Sequence, residues 1–510
     1  MQLRFWSLAV LFVAVGCGSA ATMNDGGDAG NGDVESDGGS SSSFGNDGGG
    51  SSSDAGGKGA HDSGASDSGV ADSGAHDSGS ADEDAGADAG AGDSGTDFVD
   101  ASLPPASGTL DGGFGSSGTA TYATSGTDRY YDVAIDANGN VVVVGQTGGG
   151  LLAARYLPSG ALDTSFGSAG VAVIAAGDFE AAGYALQIAP SGSIFVTGQA
   201  YRGGYPHLLV AKLQGTGALD TSFGTAGVSF PLYNPAPTTA LSDSGADISL
   251  NADGTIVVVG YSESNDSQSG LVLRLTSAGA LDTTFGTAGV TTYEFREGSS
   301  FNHLARQSNG NIIATGTAAD DTTIVNDDLW WLARFTPNGA LDKTYGGSGI
   351  TTASAGNAFG SSVIVQSDGQ ILSGGTYVEG DPETYDFGLF RQNTNGTYDS
   401  SLGNILGEED WLGSGTFYEG QVFDLAEQTD GKIVVAGWVL GTLGHYEMIV
   451  ARRASNGAAD ATFATSGTLM VNAGAGDSRA NAVALGNGVI YVVGWASNGA
   501  NDDAVLLGIH

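Results

Sequence analysis

Gly217-Ala218-Leu219-Asp220-Thr221-Ser222-Phe223-Gly224-Thr225-Ala226-Gly227-Val228 decides the architecture, because the chain writes it again and again. The marker Leu-Asp-x-x-aromatic-Gly recurs at Leu110-Asp111, Leu162-Asp163, Leu281-Asp282 and Leu341-Asp342. Degraded copies stand at Tyr398-Asp399 and Ala459-Asp460. Successive marker aspartates are 52 to 62 residues apart. A unit repeated at so steady a period buries its apolar face against its neighbours, not within itself.

A second motif recurs in fixed order with the first. Asn138-Gly139, Ser191-Gly192, Asp253-Gly254, Asn309-Gly310, Asp368-Gly369, Asp430-Gly431 and Asn487-Gly488 each precede an apolar run. Asn-Gly and Asp-Gly tolerate positive φ, so a two-residue type I′ hairpin is expected at each. The runs (141–144, 256–259, 433–436, 489–493) are continuous and end in glycine. A strand without polar alternation has both faces covered. Four strands per unit and seven units predict an all-β fold, a seven-bladed β-propeller of four-stranded antiparallel blades. It would fill residues 108–510, opening on a marker turn and ending on a strand. Either each blade forms in chain order, or the strand after Gly118 completes the last blade.

The joined motifs Gly-x-Leu-Asp-x-x-Phe-Gly-x-x-Gly-Val and Asp430-Gly431-Lys432-Ile433-Val434-Val435-Ala436-Gly437 resemble the delta-60 repeat family over about 400 residues. The resemblance implies a β-propeller of bacterial, often secreted or surface, proteins. It implies no reaction and no ligand. The sixth and seventh markers depart from the pattern, so distortion is expected in both blades.

Ahead of the repeats lie two segments. Met1-Gln2-Leu3-Arg4 and the apolar run 5–15 match a secretory signal, too short to span a bilayer of roughly 20 residues. The run closes on Ala14-Val15-Gly16-Cys17, which resembles a bacterial lipobox, with Cys17 as the lipidated residue. Gly18, in place of Asp, resembles the sorting pattern for the outer membrane of Gram-negative bacteria. Residues 18–107 are mostly Gly, Ser, Asp and Ala, with Asp-Ser-Gly at 62, 67, 72 and 77. Such composition cannot bury enough apolar surface to offset ordering entropy, and predicts a disordered acidic linker.

Charge excludes one class of partner. The formal net charge is −41, and residues 108–510 carry 39 acids against 14 bases. Nucleic acid phosphate is repelled. Cys17 is the one cysteine, so a disulfide framework is excluded, and the six histidines show no metal-ligand spacing. No metal or cofactor is expected, and no second copy.

Catalytic motifs are missing: residues 108–510 hold neither Gly-x-Ser-x-Gly nor His-Glu-x-x-His. Acid pairs such as Asp320-Asp321, Asp327-Asp328 and Asp502-Asp503 leave room for a polysaccharide-active enzyme. The marker aspartates Asp111, Asp163, Asp220, Asp282, Asp342, Asp399 and Asp460 either ring a pore or cap their own turns. A base stands eight positions before the marker aspartate in each of the first five such units, from Arg155 before Asp163 to Arg391 before Asp399, which suits a repeated ion pair. The loops after the apolar strands vary in length and carry Tyr201, Tyr205, Tyr261, Tyr377, Tyr385, Trp438, Tyr446 and Trp495. These rings are the candidate ligand face for a protein or carbohydrate, unless they plug blade junctions. The expected molecule is a surface lipoprotein presenting a binding or scaffold module. An enzyme and a passive envelope protein are the rivals.

Overall fold

A computed structural model describes residues 107–510 apart from 179, 234–239, 265–266, 297, 320–327, 354–356, 380–383, 403–404, 407–418 and 442–443. The signal segment 1–17 and the linker, up to residue 106, lie outside the described residues.

Among the described residues twenty-eight strands form seven sheets of four. Blade 1 runs Asp128–Ile135, Val141–Thr147, Gly150–Tyr156 and Val171–Ile174, each strand antiparallel to the one before. The first strands of the other blades are Ala181–Ile188, Ala240–Leu250, Ser300–Arg306, Ala358–Val365, Gly420–Glu427 and Ser478–Gly486. First strands of neighbouring blades touch all the way round, the seventh against the first included. The ring is therefore closed, with the first strands innermost.

Closure uses the second of the two routes open in the sequence. Thr119–Tyr122 pairs with Asp502–Ile509 and becomes the outer strand of blade 7. Blade and repeat are thus out of step. The marker turn joins the third strand of a blade to its fourth, and the hairpin joins the first to the second.

The two motifs have separate packing tasks. Alternate residues of one apolar run feed two different cores. Val141 and Val143 pack towards blade 7 with Tyr491 and Val493, while Val142 and Val144 pack towards blade 2 with Val196 and Leu209. Each of the seven inter-blade cores also holds one marker side chain: Phe114, Phe166, Phe223, Phe285, Tyr345, Leu402 or Phe463. All are at most 2% exposed, so the marker ring is a wedge between blades. The degraded sixth marker does alter its turn: a short 3-10 turn, Ser400–Leu402, forms there and at none of the other markers. The seventh does not, and Thr468–Val471 pairs normally.

The hairpins differ from expectation in six blades. In blade 1, Gly139 N–H donates to Asp136 O at 2.9 Å and Asp136 N–H to Asn140 O at 2.9 Å, leaving three residues in the loop. Among residues 137–139 only Gly139 takes positive φ. This is a type I turn closed by a left-handed glycine, the usual three-residue hairpin. Blade 7 alone has the two-residue form, with Asn487 and Gly488 both at positive φ.

The glycines that end the apolar runs have a steric cause. Every innermost strand carries a β-bulge, such as the shift between Gly245 and Asp247. The carbonyl just before the bulge leans onto the partner strand. A Cβ on Gly145, Gly198, Gly260, Gly316, Gly375, Gly437 or Gly494 would stand 1.8–2.1 Å from that oxygen. Gly260→Ala is therefore expected to destabilise the fold by about 1–3 kcal/mol, the range for forced overpacking. Gly112→Ala, with nothing near its Cβ, should stay within about 0.5 kcal/mol. Equilibrium denaturation of both variants checks the contrast.

Candidate functional site

The bulges fix what faces the ring axis. The residue after each is Asp132, Ala185, Asp247, His303, Ser362, Asp424 or Ala482. Three carboxylates and an imidazole thus share one level of the ring. Each carboxylate bridges two blades. Asp132 accepts from its neighbour Val133 N–H at 2.7 Å and from Leu186 N–H of the next blade at 2.6 Å. Asp247 does the same with Ile248 at 2.6 Å and Leu304 at 2.8 Å. Asp424 does so with Leu425 at 2.8 Å and Val483 at 2.9 Å, and also accepts from Ser362 Oγ at 3.0 Å. His303 Nδ1 lies 3.5 Å from Asp247 Oδ2, and its Nε2 4.0 Å from Asp424 Oδ1.

Burial dominates the electrostatics of this level. It pushes the Asp132 carboxyl up to about 8, and the charges on Asp424 and Asp247 add to the rise. Asp247 and Asp424 are raised by burial as well, against the opposing pull of His303. Among the described residues, no three His, Cys, Asp or Glu side chains are placed to hold a metal ion. With both oxygens of each carboxylate engaged by backbone N–H groups, these residues act as inter-blade staples.

The marker aspartates lie elsewhere, at the face of the hairpin turns. Asp163 caps its turn through Ser165 N–H at 3.0 Å and pairs with Arg155 at 2.7 Å. Lys212–Asp220, Arg274–Asp282, Arg334–Asp342, Arg391–Asp399 and Arg452–Asp460 repeat the pair at 2.7–2.9 Å. Asp111 meets His510 at 3.1 Å in place of an arginine. Four guanidiniums also reach a backbone carbonyl of the following blade, as Arg274 Nη1 reaches Pro337 O at 2.8 Å. The pore-ring alternative fails on position, because these carboxylates sit between third and fourth strands.

The candidate ligand-face rings all lie at the opposite face, where second strands end and third strands begin. Tyr201 and the half-exposed Tyr205 belong to blade 2. Tyr261 belongs to blade 3, its phenol pushed up to about 12 by burial, with Glu263 and Asp243 nearby. Tyr377 and Tyr385 stand on the paired strands of blade 5. Trp438 is buried, donates to Gln421 Oε1 at 3.1 Å and meets Tyr446 edge-on at 4.3 Å, so this ring does fill a junction. Trp495 lies under the Arg129 guanidinium at 4.5 Å.

Several members of this face escaped the sequence reading. Tyr131 and Tyr184, on the bulges of blades 1 and 2, meet edge-on at 5.5 Å. Arg479 lies over Trp438, Tyr446 and Trp495 at 4.9, 4.6 and 5.7 Å. Arg129 donates to Asp502 through Nε at 2.8 Å, and Asp503 accepts from Asn498 at 2.9 Å. The pair Asp502-Asp503 is thus engaged locally. Asp320, Asp321 and Asp327 lie outside the described residues.

Comparison with known families falls on the same motifs. A model described as a domain of unknown function (DUF5122) beta-propeller matches residues 137–166, 189–223, 252–285 and 428–463. Each match starts at a hairpin turn and ends at or near a marker ring. These four segments match the repeat of a β-propeller family. No curated protein matches it. Solved structures similar to this one include polysaccharide lyase Uly1, at 12% identity over 74% of this chain and 89% of that one, TM-score 0.43. A glucose dehydrogenase is 12% identical over 76% and 99%, TM-score 0.33. The endo-arabinase from Bacteroides thetaiotaomicron VPI-5482 is 13% identical over 52% and 92%, TM-score 0.30. Likeness at this level transfers no activity, since one fold hosts many unrelated functions.

Proposed function

We propose that the chain is a cell-envelope lipoprotein of the delta-60 repeat type whose propeller is a binding module for a carbohydrate or protein ligand. One observation carries this reading: Tyr446, Arg479, Trp495 and Arg129 gather at one end of the ring, backed by the buried Trp438. Rings beside guanidiniums suit stacking and hydrogen-bonded recognition. The axial carboxylates speak for binding over polysaccharide cleavage, because a general acid and its partner must face a substrate, and these face backbone N–H groups. A passive envelope role gives no reason for the aromatic face.

Array binding of the purified chain to glycans and envelope proteins tests the module. Specific capture that Trp495→Ala weakens at least tenfold supports it, and no capture by the wild type overturns it. The anchor rests on Cys17 and the apolar run before it. Cys17→Ser is expected to move the protein from the membrane to the soluble fraction and abolish incorporation of labelled fatty acid. Fractionation unchanged by the substitution would remove the anchor.

A further inference from the structure

The geometry points to Arg479 and its rings as a subsite for the carboxylate of an acidic sugar, a uronic-acid residue of a polysaccharide. This deepens the binding reading above and rests on it.

Arg479 is the second residue of the innermost strand of blade 7, at the end of the ring away from the hairpins. Its guanidinium lies over rings from three strands: Trp438 near the end of one, Tyr446 at the start of the next and Trp495 near the end of a third. Its Nε is buried with no acceptor. Among the described residues no carboxylate pairs with it, whereas the six turn-face bases each own one at 2.7–2.9 Å. Its neighbour Arg129 is already held by Asp502. Asp477, Asp502, Tyr446 and Arg129 are the charged and titratable groups whose fields reach Arg479. A half-buried cation with no carboxylate partner is an unusual placement, since burial penalises the charged form.

With Nε closed off, a ligand must approach the outer nitrogens. Two parallel N–H groups fit the two oxygens of a carboxylate better than a lone hydroxyl. The partly exposed rings of Tyr446 and Trp495 flank the approach. A pyranose lays its C–H face on such rings and carries its C5 carboxylate at the edge. An acidic peptide has the carboxylate but no flat apolar face to match the rings. The acidity of the whole propeller does not forbid the contact, because charges farther than about 8 Å are largely screened at physiological salt.

Calorimetric titration of the purified full-length chain uses three probes: polygalacturonate, the same polymer with its carboxyls reduced to alcohols, and polyglutamate. Polygalacturonate is expected to bind at least tenfold tighter than either control. Arg479→Gln should erase most of that preference while leaving the unfolding midpoint within a few degrees, and Arg479→Lys should restore it only in part. Equal binding of native and reduced polymer by the wild type overturns the subsite and leaves the binding module standing, and needs no variant to fold. Preference for polyglutamate overturns the ligand class. Failure of all three to bind overturns the subsite, while the module itself stands or falls by the array.

Discussion

Deletion of residues 107–123 is expected to open the ring and to cost more stability than any single substitution in a blade. The segment supplies three things at once. Thr119–Tyr122 covers the edge of Asp502–Ile509. Phe114, 1% exposed, is the wedge of the core between blades 7 and 1 and packs on Tyr491 at 5.8 Å. Thr109 and His510 exchange two backbone hydrogen bonds at 2.9 Å. Loss of the Phe114 side chain alone, as Phe114→Ala, should cost about 3–5 kcal/mol. The deletion adds an unpaired strand edge, which invites pairing with a second chain. A closed ring should loosen as a whole, whereas an open stack frays from one end. Hydrogen exchange across the blades, with light scattering, tests this. An unchanged midpoint, or faster exchange confined to blade 7, would show that the N-terminal strand does not hold the ring shut.

The fold was legible because two motifs recur in constant order, and each answers a packing demand that seven blades share. The hairpin glycine was legible as a site of positive φ, but the loop length was not. Whether Asp136 pairs with Asn140 depends on the twist of strands already in a blade, so a local dipeptide cannot separate two-residue from three-residue turns. The marker pairs were legible through the fixed spacing of Arg155 and Asp163 and its later copies. The axial level was missed for a different reason. Asp132, Asp247 and Asp424 are more than a hundred residues apart, so nothing in the local sequence joins them. A signal was present: each stands six residues before its hairpin residue Asn138, Asp253 or Asp430. Arg479 carried no such signal, because its partners come from strands of two blades that only the ring brings together.

Stability should fall as pH rises from about 5 to about 9, because the fold holds the Asp132 carboxyl protonated well above its unfolded value. The unfolded chain titrates an aspartate near about 3.9. Burial lifts Asp132 to about 8. Between those values the folded state binds more protons than the unfolded state, so each step up in pH favours unfolding, and the loss levels off above about 8. Asp247 and Asp424 are displaced in the same direction. The marker carboxylates act on the other flank. Hydrogen bonds and their bases lower Asp220, Asp399 and Asp460 to about 2. Their contribution is present above the unfolded value and is lost as pH falls towards about 2. The two sets together place the most stable condition on the acid side of neutrality. Asp132→Asn separates them. An amide has one acceptor oxygen for two N–H donors, so the variant should be weaker at pH 5 by about 1–3 kcal/mol, the cost of a buried donor left unpaired. It should also lose part of the alkaline decline, since the group that titrates is gone. Urea denaturation at intervals from pH 5 to pH 9 reads both effects. A wild-type profile that rises through this window, or a variant with an unchanged slope, would show that Asp132 is ionised in the folded ring and that the staples work as charged acceptors.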